Sequence, residues 1–346
     1  MKRFAAAVAS PTTAGEYTLL VEKVTGTPAA SSERVRLTFR RKASEVGGSA
    51  ASWLSRLLDR PGGRAHSPAM APSPTLIVDA PLAGVRRLTL NRPEKRNALD
   101  NELRGAILNA LEEADADASV KVSILRGAGP CFSSGYDLSA DNSVDQPFYS
   151  PGGPGQWARH VVEGWFRIWD LAKPVIAQVH GYCLAGGSEL AACCDLVYVA
   201  EDARLGYPPT RLMSPPDNQF HPWLMGMRSA MEMFLTGDAI TGIEAAARGF
   251  ANRAVPPAQL GTTVLAVAGR IALVPTELTQ INKRAVHRAM EIMGLRAAIR
   301  AGTELQALAF STAASQAYRA QFKRDGSSVR DLLSQRDAPF KDYRER

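Results

Sequence analysis

"GYCLAGGSEL", residues 181–190, is the stretch that decides how this chain folds. The run before it, "KPVIAQV" from Lys173, is apolar and β-branched and reads as a buried strand. The run after it, "ELAACCDLV", is Ala-rich and reads as a helix, or a helix leading into another strand. Ala185, Gly186 and Gly187 therefore sit at a strand-to-helix turn. The first turn of a helix has no internal acceptors for its N–H groups, so such a turn can hold an anion. Glu189, placed directly after it, can move a proton. Equally, the glycines can serve a tight turn by adopting positive φ, with Glu189 complementing the helix dipole. The stretch alone leaves both readings open.

Composition narrows the class. The chain has 346 residues, 45% hydrophobic and 22% charged, which suits a soluble globular protein with a large core. No apolar run approaches the length needed to span a bilayer. Cys131, Cys183, Cys193 and Cys194 have neither CxxC spacing nor a histidine cluster nearby, which argues against a zinc site or a disulfide framework and fits a reducing cytoplasm. The net charge of +7 is concentrated at one end: residues 1–69 hold 11 Lys/Arg against 5 Asp/Glu. That segment has one strand-like piece, "EYTLLVEKV", and ends in the Pro/Gly/Ser linker "DRPGGRAHSPAMAPSP". It reads as a basic, disordered extension, or as sequence upstream of a start at Met70, and is expected to be dispensable. It lacks the apolar core of a secretory signal, and its five acidic residues argue against a transit peptide.

From Thr75 the texture changes. "TLIVDAPLAGVRRLTLNRP" reads as two strands joined at a Gly turn and ended by Pro93. "LDNELRGAILNALEEADAD" is an amphipathic helix, with Leu99, Leu103, Ile107 and Leu111 at helical spacing and Asp100 as N-cap. "VKVSILRG" is a buried strand, and "GPCFSSGYDL" makes a second Gly-containing strand-to-helix turn. A loop and a helix carrying Trp165, Phe166 and Trp169 come next. Beyond Met225 the chain is largely helical. Alternating strands and helices followed by helices predict an α/β protein, with a core over 70–265 and a helical region over 266–346.

"FSSGYDL" and "LAGGSEL" are thus two turns about fifty residues apart, each offering free backbone donors. Two such groups converging on one oxygen make an oxyanion hole. Together with "LNRPEKRNALD" upstream and "LTGDAITGIEAAARGFANRAVP" downstream, they resemble the crotonase (enoyl-CoA hydratase/isomerase) superfamily, in order and spacing, from about Thr75 to Tyr343. The resemblance implies a ββα superhelix with a helical C-terminal trimerisation region, assembled as a homotrimer or a hexamer. It also implies an acyl-CoA substrate, with coenzyme A as the handle and no metal or redox cofactor. It assigns the oxyanion-hole donors to the backbone N–H groups of Tyr136 and Gly186, the acid/base role to Glu189, and CoA binding to Lys95, Arg96, Asn97, Asp137 and Gly187.

One departure from the family pattern matters. Enoyl-CoA hydratases carry a second glutamate in a motif like F-G-x-P-E; here the stretch is "LGYPPT", and Pro209 takes that place. Proline neither gives nor takes a proton. Asp217, eight residues on in "PTRLMSPPDNQF", stands at an offset resembling the catalytic aspartate of dienoyl-CoA isomerases and the nucleophilic one of dehalogenases; its other reading is a turn residue after two prolines. Tyr207 and His221 share that stretch. The expected function is an enoyl-CoA hydratase-like enzyme, with an isomerase or hydrolase of the same superfamily as the alternative. An RNA-binding protein of this fold is a third reading, served by the basic 1–69 segment. That segment lacks the interleaved aromatics that stack bases, so nucleic acid is not the expected partner.

Overall fold

A computed structural model describes residues 75–211, 215–324 and 328–340, together with three strands nearer the N-terminus. Internal contacts divide the chain into two units, Met1–Ala69 and Met70–Arg346. In the first unit, β1 (Arg3–Val8), β2 (Glu16–Val24) and β3 (Glu33–Arg40) form an antiparallel sheet in that order. The strand expected at "EYTLLVEKV" is β2. The linker at 59–74, with Met70, lies outside the described residues.

The second unit opens with the hairpin β4 (Leu76–Leu82) and β5 (Val85–Leu90), turned at Gly84 with φ +77°. A single 3-10 turn at Pro93–Lys95 follows, and then α1 (Asn101–Ala116). The Asp100 carboxylate caps α1, accepting the Leu103 N–H at 2.8 Å, and Leu103, Ile107 and Leu111 are buried in the core. The chain continues through β6 (Val122–Gly127), α2 (Gln156–Trp169), β7 (Val175–Val179), β8 (Tyr182–Leu184) and α3 (Gly186–Ala192). It then forms β9 (Leu196–Ala200), β10 (Arg204–Gly206), α4 (His221–Thr236), β11 (Ile240–Thr241), α5 (Gly242–Ala247) and β12 (Arg253–Val255). Five helices close it: α6 (Pro257–Ala272), α7 (Thr276–Ile292), α8 (Leu295–Ser311), α9 (Ala313–Arg324) and α10 (Val329–Asp337).

Two layers of strands arise from one repeated move. The large sheet has the order β12-β9-β7-β6-β5-β4 and is parallel except for the β4–β5 pair. Its central strands β7 and β9 are largely apolar, as strands covered on both faces are, while β5 and β6 also carry Arg86, Arg87 and Arg126. After β7 and again after β9, the chain turns into a short strand of a second sheet, ordered β11-β10-β8. Isolated parallel bridges continue that second layer, Ser133 beside Cys183 and Leu99 beside Tyr136. The result is the expected ββα superhelix. It stacks the turns at 133–136 and 183–186 side by side.

The boundary expected at 265 falls inside α6. Leu260, Val264 and Ala268 are buried there against the large sheet, so this helix belongs to the core by packing. The helices that stand clear of the sheet begin with α7, none of whose residues is buried. Among the described residues, no single helix is long and apolar enough to cross a membrane.

Candidate active site

The stacked turns bring the two proposed donors together. The Ser133 N–H donates to the Tyr182 carbonyl at 3.0 Å and the Leu184 N–H to the Ser133 carbonyl at 3.0 Å, which locks the segments in register. Gly135 (φ +104°) lies so close to the second turn that a Cβ there would come within 2.8 Å of the Ala185 methyl and 3.3 Å of the Gly186 nitrogen. Leu99 uses the flanking atoms of its bridge, donating to the Gly135 carbonyl and accepting from the Asp137 N–H, and so leaves the Tyr136 N–H out of the ladder. Gly186 is the first residue of α3, where an N–H has no acceptor within the helix. Neither amide hydrogen has a bonded acceptor among the described residues.

The glycines are required here for closeness rather than for positive φ. It is Ala185 that takes the left-handed φ, +49°. A Cβ at Gly186 would stand 2.6 Å from Cζ of Tyr136, and one at Gly187 would stand 2.6 Å from the Ser133 carbonyl oxygen. Bare backbone at 186 thus lets the Tyr136 ring lie against the helix start.

That ring carries a function the sequence does not announce. The Tyr136 hydroxyl donates a short hydrogen bond to Oε2 of Glu189. It accepts in turn from the Trp165 indole N–H at 3.3 Å, and Trp157 packs edge-on to the ring at 5.3 Å. Glu189 is fully buried, and its Oε1 accepts the Asn218 N–H at 3.4 Å. Tyr207, also buried, is a neighbour of the same carboxylate. Burial raises the pKa of Glu189, and the Tyr136 bond opposes that rise by stabilising the charged form.

Asp217 joins this cluster. It is 2% exposed, its Oδ1 has no partner among the described residues, and the Trp157 side chain is among its neighbours. Its pKa is raised well above the ordinary value, first by burial and then by the charge of Glu189. Two carboxyls that each disfavour ionisation of the other titrate as a pair, and the first proton to leave makes the second harder to remove. The nearest countercharge is Arg104 of α1, buried between Trp157 and Trp165, with guanidinium-to-ring distances of 5.1 and 5.8 Å. Pro209 lies in the 3-10 turn Pro208–Arg211, which directly follows Tyr207. His221 is buried; one ring nitrogen bonds the Ser188 hydroxyl at 3.2 Å and burial lowers its pKa to about 4, so it stands as a neutral packing residue.

The remaining candidates flank the turn at 133–136. Lys95 reaches Asp137 at 3.1 Å and its side chain is 47% exposed, while Arg96 is exposed and its guanidinium lies 5.7 Å over the Tyr182 ring. Asp137 is held ionised: Arg92, Lys95 and the Ser139 hydroxyl and amide outweigh the effect of burial and lower its pKa. Asn97 is fully buried and committed to the backbone, accepting from the Arg92 N–H and donating to the carbonyls of Ala128 and Cys131 at 2.8–2.9 Å. Gly187 is sealed against Ser133. Asn97 and Gly187 therefore shape the loop and expose no polar side chain to a ligand, whereas Arg96 and Lys95, the latter paired with Asp137, are exposed.

Arg92, Arg104 and the side chain of Tyr136 are the site residues absent from the sequence-based set. Arg104 left a trace, since it occupies the apolar face of α1 with Ile107, Leu108 and Leu111. Among the described residues no group of His, Cys, Asp and Glu is arranged to hold a metal ion.

Comparison with known proteins bears on this arrangement. Residues 82–342 match the enoyl-CoA hydratase/isomerase family. A Mycobacterium tuberculosis protein named as an enoyl-CoA hydratase, EchA13, is 37% identical over 235 residues, covering 62% of this chain and 74% of its own length. The 2,3-dehydroadipyl-CoA hydratase of Escherichia coli is 33% identical over 209 residues, covering 59% and 79%. Among solved structures, an enoyl-CoA hydratase/isomerase from Xanthobacter autotrophicus superposes with a TM-score of 0.69 at 36% identity, covering 78% of this chain and 99% of its own. An enoyl-CoA hydratase from Mycobacterium smegmatis gives 0.70 at 30%, covering 78% and 95%.

Proposed function

This chain belongs to the enoyl-CoA hydratase/isomerase family, the crotonase superfamily, as an enoyl-CoA hydratase-like enzyme; from that premise we propose that it adds water to a 2-enoyl-CoA thioester with Glu189 and Asp217 as its proton-transfer pair. The thioester oxygen sits between the Tyr136 and Gly186 N–H groups, where negative charge collects as the enolate forms. Preorganised amides of this kind contribute ~3–4 kcal/mol each to such a transition state. One carboxylate takes a proton from water as the water oxygen bonds Cβ; the other, protonated, delivers its proton to Cα. The pair ends the cycle with the same number of protons, and their locations are exchanged.

The observation that carries this reading is the position of Asp217, buried beside Glu189 with an oxygen unpartnered among the described residues, in a chain that has Pro209 where the family's second glutamate stands. Lys95 and Arg96 bind phosphates of coenzyme A, and no metal or redox cofactor takes part. Apolar side chains stand out on the C-terminal helices and α4, with Leu235, Leu273 and Ile292 each about three-quarters exposed or more, which supports assembly into a homotrimer or a hexamer. Four buried free cysteines accord with a cytoplasmic location. Pro209 also favours a second reading, double-bond isomerisation, in which a carboxylate moves a proton between carbons and no water is activated.

The test follows the conjugated thioester absorbance with a set of 2-enoyl-CoA substrates, together with product analysis. Loss of the double bond with formation of a 3-hydroxyacyl-CoA, abolished in both Glu189→Gln and Asp217→Asn, is the expected result. A migrated double bond with no hydroxyacyl product establishes isomerisation instead, and full turnover in Asp217→Asn removes the aspartate from the mechanism.

A further inference from the structure

Arg104 has a task left over once the proton-transfer pair is accounted for. Its side chain is 1% exposed, on a helix face otherwise made of Ile107, Leu108 and Leu111. Nη1 donates to Oδ1 of Asn101 at 2.8 Å. Nε and Nη2 have no acceptor among the described residues. Those two nitrogens lie on one edge of the guanidinium, the edge whose parallel N–H bonds match the two oxygens of a carboxylate. The guanidinium carbon lies 5.1 Å over the Trp157 ring and 5.8 Å over the Trp165 ring, and a Cβ on Gly164 would come no nearer than 3.7 Å to Nη2.

A buried charge with an unmet donor edge is costly unless something arrives to satisfy it. The nearest acids, Asp217 and Glu189, attract Arg104 through space and neither is bonded to it. Arg104 is buried in the same cluster as Glu189 and Asp217, the pair assigned to the reacting carbons above, whereas Lys95 and Arg96 are exposed. That placement favours a partner on the acyl group over one on coenzyme A.

Resting on the hydratase reading above, we propose that Arg104 is a specificity residue that binds a carboxylate carried by the acyl chain, so that the preferred substrate is the mono-CoA thioester of an unsaturated dicarboxylic acid. An uncharged acyl chain in this position leaves the fork unpaired, and a site built around a polar partner discriminates strongly against the analogue that lacks it.

The experiment uses the full chain and 2-enoyl-CoA thioesters of four, five and six acyl carbons, each prepared with a methyl or a carboxylate end. Wild type is expected to favour the carboxylate-ended member at one length by about tenfold or more in kcat/KM. Arg104→Met is expected to lose that preference, leaving the two end groups within about threefold of each other in kcat/KM, because the pair of charge-assisted hydrogen bonds is gone. Arg104→Lys, which keeps the charge without the fork, falls between. The saturated thioesters, which cannot react, are titrated calorimetrically in parallel: wild type binds the carboxylate-ended one more tightly. If that binding preference holds while no member is hydrated, the hydratase reading fails and the assignment of Arg104 stands. Equal affinity for the two ends overturns the assignment, as does a preference that survives in Arg104→Met. Should Arg104→Met not fold, the wild-type affinities and Arg104→Lys decide the matter. A uniform loss across both series in Arg104→Lys, with wild type indifferent to the end group, identifies Arg104 as a countercharge to Asp217 only.

Discussion

Replacing Gly186 with alanine tests the site at its tightest point. The new methyl would lie 2.6, 2.7 and 2.9 Å from Cζ, Cε2 and Cε1 of Tyr136, whereas carbon atoms in contact settle near 3.5–4.0 Å. The hydroxyl end of the ring must therefore move by ~0.9 Å. Trp157 on one side and the Trp165 indole N–H on the other leave it no equivalent seat. Displacement on that scale breaks the hydrogen bond to Glu189, whose loss as a charge-assisted bond costs about 1.5–3 kcal/mol. It also disturbs the Tyr136 N–H, one of the two donors to the thioester oxygen. Through both effects, turnover should slow ~100-fold or more. Global stability should drop by ~2–6 kcal/mol, the cost of overpacking together with that of the lost bond. Steady-state kinetics on the best 2-enoyl-CoA substrate, paired with denaturant unfolding, separates the two effects. Gly261→Ala provides the control: its Cβ would meet nothing within 4 Å, and helical alanine should stabilise by ~0.5–1 kcal/mol with kinetics intact. If Gly186→Ala turns over within about threefold of wild type, the close approach has no bearing on catalysis and the reasoning fails.

Other substitutions probe the remaining parts. Glu189→Gln keeps size and hydrogen bonding but removes the base, so turnover should fall ~100-fold or more with thioester binding retained, measured by single-turnover and equilibrium titration. Both carboxyls have folded-state pKa values raised above the unfolded ones, so folding takes up protons and stability declines as pH climbs from the ordinary carboxylate range through the raised values. Asp217→Asn removes one of these groups; its stability relative to wild type should be greater at about pH 8 than at about pH 4, and a pH-independent difference would contradict this. Asn97→Ala abolishes three hydrogen bonds, two of them buried, and leaves their backbone partners unmet, which predicts a loss of ~3 kcal/mol or more by chemical denaturation. Pro209→Glu restores a carboxylate at the position where hydratases of the family carry one and should raise hydration of crotonyl-CoA, blunted by any loosening of the 3-10 turn.

How much of this was legible beforehand depended on which force fixes each feature. The strands β5, β6 and β7 and the helix α1 announce themselves because burial imposes a period on the sequence, and Asp100 caps α1 as its chemistry requires. The two donor turns are equally plain, since a backbone that must be bare can only be written with glycine or a near substitute. The side chain of Tyr136 could not be read in the same way. Its bond to Glu189 depends on a rotamer and on a 53-residue separation that no local pattern encodes. Arg104 is intermediate: its place on an apolar face is visible as an anomaly, but only the positions of Trp157 and Trp165 explain what holds it there. The α6 helix shows the converse limit, because an amphipathic period says that a helix has a buried side and not which layer covers it.

Gly135 and Ala185 together have room for one methyl group. Ala185 supplies it, and a second on Gly135 would come within 2.8 Å of the first. The two positions therefore form a shared allotment, and neither can be varied without reference to the other. Gly–Gly is sterically admissible and even relieves the left-handed φ at 185, at the cost of a looser unfolded chain. Ala–Ala is not. The reversed arrangement, alanine at 135 and glycine at 185, removes the methyl–methyl clash but forces φ +104° on a residue with a side chain and sets its Cβ 3.0 Å from the Leu184 carbonyl oxygen. The order of substitution is thus directional: a lineage can pass from this pair to Gly–Gly by one change, but it cannot move the methyl across the gap between the two donor turns.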